Sequence, residues 1–87
     1  MKELEKQLKA LANKRRLAIL KILKRNKVGV SVGQLAKEIK LSFRSTSRHL
    51  AILLSQDIVG KDQQGLNMYY TLSPSLQPAV RKILEML

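Results

Sequence analysis

The sequence contains no cysteine and no tryptophan, and it has only one phenylalanine, two tyrosines and one histidine in 87 residues. Without cysteine the chain forms no disulfide, no thiolate metal site and no thiol nucleophile. One imidazole per chain, His49, cannot assemble a metal site within a protomer. Ser47 lies two residues from His49 on a predicted helix, about 200° away around its axis, so the two form no nucleophile–base pair. We therefore expect no metal, no cofactor and no enzyme activity.

Long apolar runs are also missing. The longest uncharged stretch, residues 63–80, is rich in glutamine, asparagine, serine and proline, so it cannot span a bilayer. The charged first residues, 1–5, do not resemble a signal peptide. We expect a cytoplasmic protein with no membrane partner. The best candidate for a membrane-binding amphipathic segment, residues 17–27, is better explained as a core helix.

Acidic residues are scarce. Seventeen lysines and arginines face six aspartates and glutamates, which gives a net charge of +11 and a pI near 10.5. Between Glu5 and Glu38 there is no acid but there are ten bases. So large an excess on so small a chain predicts a polyanionic partner. With 45% apolar residues the chain should fold as one domain, residues 1–87, whose thin core would gain from a second copy.

Leucine spacing predicts most of the helices. Leu4, Leu8 and Leu11 form the stripe of a first helix, and Asn13 is placed to cap a second helix that ends near Asn26. The stripe of the last helix follows Pro78, a residue that is tolerated in a first turn. Its members are Leu76, Val80, Ile83, Leu84 and Leu87.

Two serines mark a helix-turn-helix. Ser31, with Gln34 three residues later, predicts a capping box and a brief third helix. Ser42 predicts the cap of a fourth helix, 42–56, after a three-residue turn.

A hairpin is predicted after the fourth helix, with strands 58–62 and 68–72, a tip at 63–67 and Gly65 available for positive φ. Residues 28–30 form a short extended piece before the third helix. A helix-turn-helix followed by a hairpin predicts a winged helix, a mainly α fold with a small β-hairpin wing.

Three segments resemble the ArsR/SmtB family of winged-helix repressors: ALANKRRLAILKIL (10–23), SVGQLAKEIKLSFRSTSRHLAIL (31–53) and MYYTLSP (68–74). The most specific part is Ser47-Arg48-His49-Leu50, followed by Leu53 and Ile58-Val59. The resemblance implies a homodimer paired through the first and last helices. It also implies operator DNA as the partner, often released when a metal ion or another inducer binds.

The chain departs from that family at several positions. Ser31 and Gly33 stand where metalloid sensors carry cysteines, and the last helix offers only Glu85 where other members carry histidine and aspartate ligands. Metal sensing is therefore not implied. Leu66 replaces an arginine at the wing tip, and Asp57 replaces a glycine after the fourth helix. Whether the wing contacts DNA stays open.

The candidate DNA contacts follow from helical geometry. With Leu50 in the core, Arg44, Ser45, Arg48 and Ile52 lie on the opposite face of helix 42–56, where arginine can bind guanine O6 and N7. The resemblance favours a backbone contact for His49. Arg16 is interpreted as a structural residue. The candidate DNA-binding residues are Arg44, Ser45, Ser47, Arg48, His49, Lys14, Lys61 and Gln64.

These features favour a dimeric, sequence-specific regulator of transcription that binds a pseudo-palindromic operator in double-stranded DNA. The resemblance to a family of repressors implies that it represses transcription. The alternative is a winged helix that binds an acidic protein partner. Single-strand binding by stacking on Tyr69 and Tyr70 is weaker, because neighbouring strand residues point to opposite faces.

Overall fold

Side-chain oxygens begin three of the five helices in the computed structural model, which describes residues 1–87. Asn13 accepts hydrogen bonds from the amides of Arg15 and Arg16, and Ser42 accepts one from the amide of Ser45. Ser31 caps the third helix by accepting from the Gln34 amide at 3.2 Å. Only this half of the predicted capping box is formed, but the three predicted caps are confirmed.

The order of the elements is the predicted one. The helices and strands are α1 (Lys2–Leu11), α2 (Lys14–Arg25), β1 (Val30–Ser31), α3 (Val32–Ile39), α4 (Phe43–Ser55), β2 (Val59–Gln64), β3 (Asn67–Leu72) and α5 (Pro78–Glu85). A membrane span needs more length and more apolar character than any of these helices has. Five helices and a small antiparallel sheet make a winged helix-turn-helix.

One hydrophobic cluster holds these elements together, and every helix contributes to it. Helix α2 contributes the largest share, because Ile19, Leu20, Ile22 and Leu23 are all buried. On α4 the buried residues are Thr46, Leu50 and Leu53. The Thr46 hydroxyl is satisfied within the core by donating to the Ser42 carbonyl at 2.8 Å.

The turn between α3 and α4 sets the angle of the helix-turn-helix. Its first residue, Lys40, has φ +57° and ψ +49°, and its amide bonds to carbonyls of the last turn of α3. This left-handed conformation ends α3 and lets Ser42 begin α4 three residues after Ile39. The exposed face of α4 is therefore held at a defined orientation to the core.

The sheet has the order β1-β3-β2, with β3 in the centre. The predicted hairpin is confirmed, but its five-residue tip is wrong: Gln64 pairs with Asn67, which leaves a two-residue turn of Gly65 and Leu66. Gly65 has φ +64°, as expected for the first position of a type II′ turn. Leu66 at the tip is 100% exposed.

The short extended piece before α3 is displaced by about two residues from its predicted place. The strand is Val30–Ser31, which pairs with Tyr70 and Tyr69, whereas Val28 lies in an exposed turn. The Gly29 backbone, at φ +116°, lies so close to Tyr69 that a Cβ on residue 29 would come within 3.1 Å of the Tyr69 Cβ. The partner strand therefore decides where β1 begins.

Asp57 follows α4 in the left-handed conformation, with φ +55°. Asparagine and aspartate are the non-glycine residues that tolerate this region best. The Asp57 carboxylate also accepts a hydrogen bond from the Ser73 hydroxyl at 3.0 Å. These two features explain how an aspartate can occupy this position, where the family that the chain resembles usually has glycine.

Asn13→Ala should lower the free energy of unfolding by about 1 kcal/mol, because two amides of the first turn of α2 lose their acceptor. Asn13→Gly should cost only a few tenths of a kcal/mol. Urea denaturation at one fixed protein concentration measures both. An alanine variant as stable as the wild type would contradict the role of the cap.

Candidate nucleic-acid interface

The outer face of α4 carries the predicted reading residues. Arg44 and Arg48 are exposed and lie one turn apart, and Ser45 beside them is partly buried. His49 is partly buried at one edge of this face, and Ser47 is partly buried nearer the core, both as expected from the helical geometry. Ile52 continues the face one turn further on and is also exposed. We call Arg44, Ser45, Arg48 and Ile52 the reading face.

Charge on the reading face is not neutralised within the protein. The chain forms one ion pair, Lys9–Glu5 at 3.8 Å, so no carboxylate pairs with Arg44 or Arg48. The first turn of α4 contains no acid, although a helix N-terminus favours negative charge. A phosphate or a guanine edge would supply the missing negative charge.

A second basic region begins at the N-terminus of α2. Lys14 and Arg15 are exposed in a first turn that also lacks an acid. Both line an open cleft of about 500 Å³ between α2 and α3. Its rim continues along α2 through Lys21 and Arg25, with Glu38 as the only carboxylate. The Lys14 end of α2 thus lies in a strongly positive surface.

His49 contacts a protein group. Its Nδ1 lies 3.1 Å from Nη1 of Arg16, whose other guanidinium nitrogens donate to the carbonyls of Ala10 and Lys9. Burial, and after it the positive charges of Arg16 and Arg15, lowers the pKa of His49 below its usual value of 6.5. The interpretation of Arg16 as a structural residue is confirmed.

The two wing residues predicted to contact DNA, Lys61 and Gln64, do not lie on the same face of the hairpin. Lys61 and Gln64 are both exposed on β2, but they lie three residues apart and so point to opposite faces of the hairpin. The Gln64 amide donates to the Asp62 carboxylate at 3.2 Å. Lys61 has no such partner, so it is the better placed of the two for a phosphate.

Tyr69 and Tyr70 are half-buried in the central strand. Tyr70 packs against the hydrophobic cluster. Neither ring is exposed enough to form the open platform that a stacked base requires. The chain has no group of three or more histidine, cysteine, aspartate or glutamate side chains placed to hold a metal ion.

The family of this chain follows from comparison with known proteins. The sequence profile described as "Bacterial regulatory protein, arsR family" matches residues 13–61, which include α2, the helix-turn-helix and the start of the wing. The chain belongs to the arsR family. Members of this family are DNA-binding transcription regulators with a winged helix, and they form homodimers.

Relatives of known structure agree with this assignment. The transcriptional activator HlyU of Vibrio cholerae is 39% identical over 80 residues, 92% of this chain and 72% of HlyU. The structure of reduced HlyU superposes with a TM-score of 0.82 at 36% identity, over 98% of this chain and 84% of that one.

Two further solved structures are similar across the chain. The homodimeric winged helix-turn-helix domain of Mb0332 from Mycobacterium bovis gives a TM-score of 0.83 at 26% identity, over 98% of this chain and 74% of that one. The transcriptional repressor PagR of Bacillus anthracis gives 0.80 at 27% identity, over 98% and 92%.

The bond between Arg16 and His49 is not predicted by the sequence. The two residues lie 33 positions apart, and neither belongs to a local motif that joins them. Lys40, an exposed cation in the turn before α4, is not among the predicted contacts either. A non-glycine residue that must adopt positive φ at a helix C-terminus has no clear composition signal.

The lowered pKa of His49 predicts a dependence of stability on pH. In the unfolded chain the imidazole takes up a proton near pH 6.5, whereas the folded chain does so only at lower pH. The free energy of unfolding should therefore fall as pH decreases from about 6.5 toward the folded pKa. His49→Asn keeps an acceptor for Arg16 but does not titrate, so it should remove this part of the dependence. Urea denaturation between pH 7.5 and 5.5 tests this, and an unchanged slope in the variant would contradict it.

Proposed function

We propose that the chain acts as a homodimer that reads a pseudo-palindromic operator by placing the reading face of α4 in the major groove. The observation that carries this proposal is that Arg44 and Arg48 are exposed and unpaired on the face of α4 opposite the fully buried Leu50. An arginine in this position can form two hydrogen bonds with guanine. Ser45 and Ser47 lie beside them with hydroxyls suited to a phosphate or a base edge.

The remaining candidates are assigned to the DNA backbone. Lys14 lies on the basic rim of α2, Lys61 is exposed on the wing, and His49 is at the edge of the reading face. Contacts of this kind position a protein on the duplex and carry no sequence information directly. Gln64 has the weakest support, because its amide already bonds to Asp62.

Exposed apolar side chains on α1 and at the end of α5 support the proposed dimer interface. Leu8 is 45% exposed and Met86 is 78% exposed, and Leu4 and Ile83 beside them are only partly covered. A two-fold pairing here would present two copies of α4 to successive major grooves, about 34 Å apart.

We propose repression, in which a bound dimer covers the promoter. The names of the relatives point in both directions, since PagR is called a repressor and HlyU an activator. Transcription in vitro from a promoter that overlaps the selected operator decides between them, and an increase in transcript would contradict repression.

We place the protein in the cytoplasm, where bacterial DNA is found, and assign it no membrane partner and no catalytic step.

The operator can be found by selecting bound duplexes from a random pool. Two half-sites related by two-fold symmetry would support the proposal. A protein without selectivity for any duplex would instead favour the alternative, an interaction module for an acidic protein.

We propose that no metal controls binding, because the cysteine positions of metalloid sensors hold Ser31 and Gly33. Zinc, nickel or cadmium should leave the affinity for the selected duplex unchanged, and a stoichiometric, saturable loss would contradict this.

Arg48→Ala should cost about 1–3 kcal/mol per half-site on the selected duplex and little on random DNA. Lys14→Ala is the matched control: it should weaken both duplexes equally and reduce the salt slope by about one per half-site. Fluorescence anisotropy at several salt concentrations measures both effects. Equal weakening of selected and random DNA by Arg48→Ala would show that the reading face is assigned wrongly.

Leu8→Asp combined with Met86→Asp should give a folded monomer, because both side chains are exposed in the protomer. Leu84, although on the same predicted stripe, is only 4% exposed, so its substitution would test folding and not assembly. Leu66→Asp, an equally drastic change at the wing tip, should remain dimeric. Analytical ultracentrifugation at tens of micromolar measures the oligomeric state of the wild type, the double variant and Leu66→Asp. A double variant that still sediments as a dimer would place the interface elsewhere.

A further inference from the structure

Arg16 lies where three helices meet. From the first turn of α2, its Nε donates to the carbonyl of Ala10 and its Nη2 to the carbonyl of Lys9 at 3.3 Å. These carbonyls belong to the last turn of α1, where no amide of the same helix can reach them. Its Nη1 points to Nδ1 of His49 on α4, 3.1 Å away. One side chain thus joins the end of α1 to the edge of the reading face.

The chemistry of this contact determines the tautomer of His49. A guanidinium only donates hydrogen bonds, so Nδ1 must be the acceptor and the proton of the neutral ring must be on Nε2. No protein group bonds to Nε2, and the protein has no buried polar side-chain atom without a partner. Nε2 is therefore not fully buried and retains contact with solvent. The ring presents an N–H donor at the edge of the reading face.

We propose that Arg16 is a positioning residue for DNA binding: it holds His49 as the Nε2–H tautomer, so that this N–H donates to a DNA phosphate, and it ties that contact to α1. The proposal rests on the DNA-binding function given above and adds the residue that orients His49. Because α1 belongs to the proposed dimer interface, the same guanidinium links the pairing of protomers to the placement of a backbone contact.

The groups around the ring make this link sensitive to protonation. Arg16 and Arg15 face it from α2, α1 presents the carbonyls that hold Arg16, and Arg48 precedes it on α4. An imidazolium has no acceptor for Arg16. Protonation would therefore replace the hydrogen bond with repulsion between two cations.

Lys24 provides a matched control within the same helix. Its ammonium donates to the main-chain oxygens of Leu84 and Leu87, each at 3.0 Å, at the end of α5. Arg16 and Lys24 therefore both cap the C-terminus of a helix proposed for the dimer interface, but only Arg16 contacts α4. Any effect that comes from helix capping alone should appear in both variants.

The first experiment is imidazole NMR of the DNA-free protein labelled with ¹⁵N. Since His49 is the only histidine, its signals need no assignment. At pH 7.5 we expect the Nε2–H tautomer in the wild type and in Lys24→Met. Arg16→Met should give a mixture of tautomers and a pKa closer to the usual value. A wild-type ring with the proton on Nδ1, or a tautomer that Arg16→Met does not change, would overturn the proposal.

The second experiment measures affinity for the selected duplex. Arg16→Met should weaken binding about tenfold per half-site, the size of one lost hydrogen bond to a charged group, and Lys24→Met should weaken it much less. Equal losses of affinity in the two variants would show that Arg16 acts only as a helix cap, and this would overturn the proposal.

Two substitutions of His49 keep the test independent of Arg16 in case Arg16→Met unfolds. His49→Gln can place an amide N–H near the position of Nε2, whereas His49→Asn can place an acceptor near Nδ1 and has no donor at the outer position. Glutamine should bind the duplex more tightly than asparagine, and the reverse order would overturn the phosphate contact. If neither the wild type nor Arg48→Ala distinguishes selected from random DNA, the proposed function fails, and the NMR result still decides the role of Arg16.

Discussion

Burial of the apolar face of α2 is the constraint on which the rest of this small structure depends. The hydrophobic cluster contains 14 residues, and α2 supplies Ile19, Leu20, Ile22 and Leu23. The other four helices and the sheet all add residues to this cluster. Because the core is thin, a loss at α2 would release the elements on both sides of it. The same helix holds the ends of α1 and α5 through Arg16 and Lys24.

The polar side of α2 connects stability with function. Its basic residues have no carboxylate partners within the chain, and three of them occupy the first turn, where the helix dipole disfavours positive charge. Arg16 relieves part of this cost by donating to carbonyls and to His49. Lys14 and Arg15 stay exposed beside the cleft. A phosphate backbone would relieve the remaining repulsion, which is why a fold with so much unpaired charge suits a protein that binds DNA.

The reading face shows how α4 serves the core and the solvent at once. Thr46, Leu50 and Leu53 bury one side completely, and this fixes the rotation of the helix about its axis. Arg44 and Arg48 must then point outward, whatever they contact. The wing differs from α4 because its tip carries no cation: Leu66 is fully exposed there, where the family often has arginine. This difference supports the proposal that α4 reads the sequence and that Lys61 contacts only the DNA backbone.

The sequence by itself determined the helices, their caps and the reading face. Asn13, Ser31 and Ser42 act on amides within three residues of themselves, and the apolar stripes of the first and last helices repeat with the helical period, so local chemistry was sufficient. Only the tertiary structure decided the strand boundaries, which depend on partners: Gln64 extends β2 because it pairs with Asn67, and β1 lies where β3 can bond to it. Only the tertiary structure, likewise, placed Arg16 against His49. That bond joins residues far apart in the chain, and no periodicity or cap motif encodes a contact that exists only once α1, α2 and α4 have packed together.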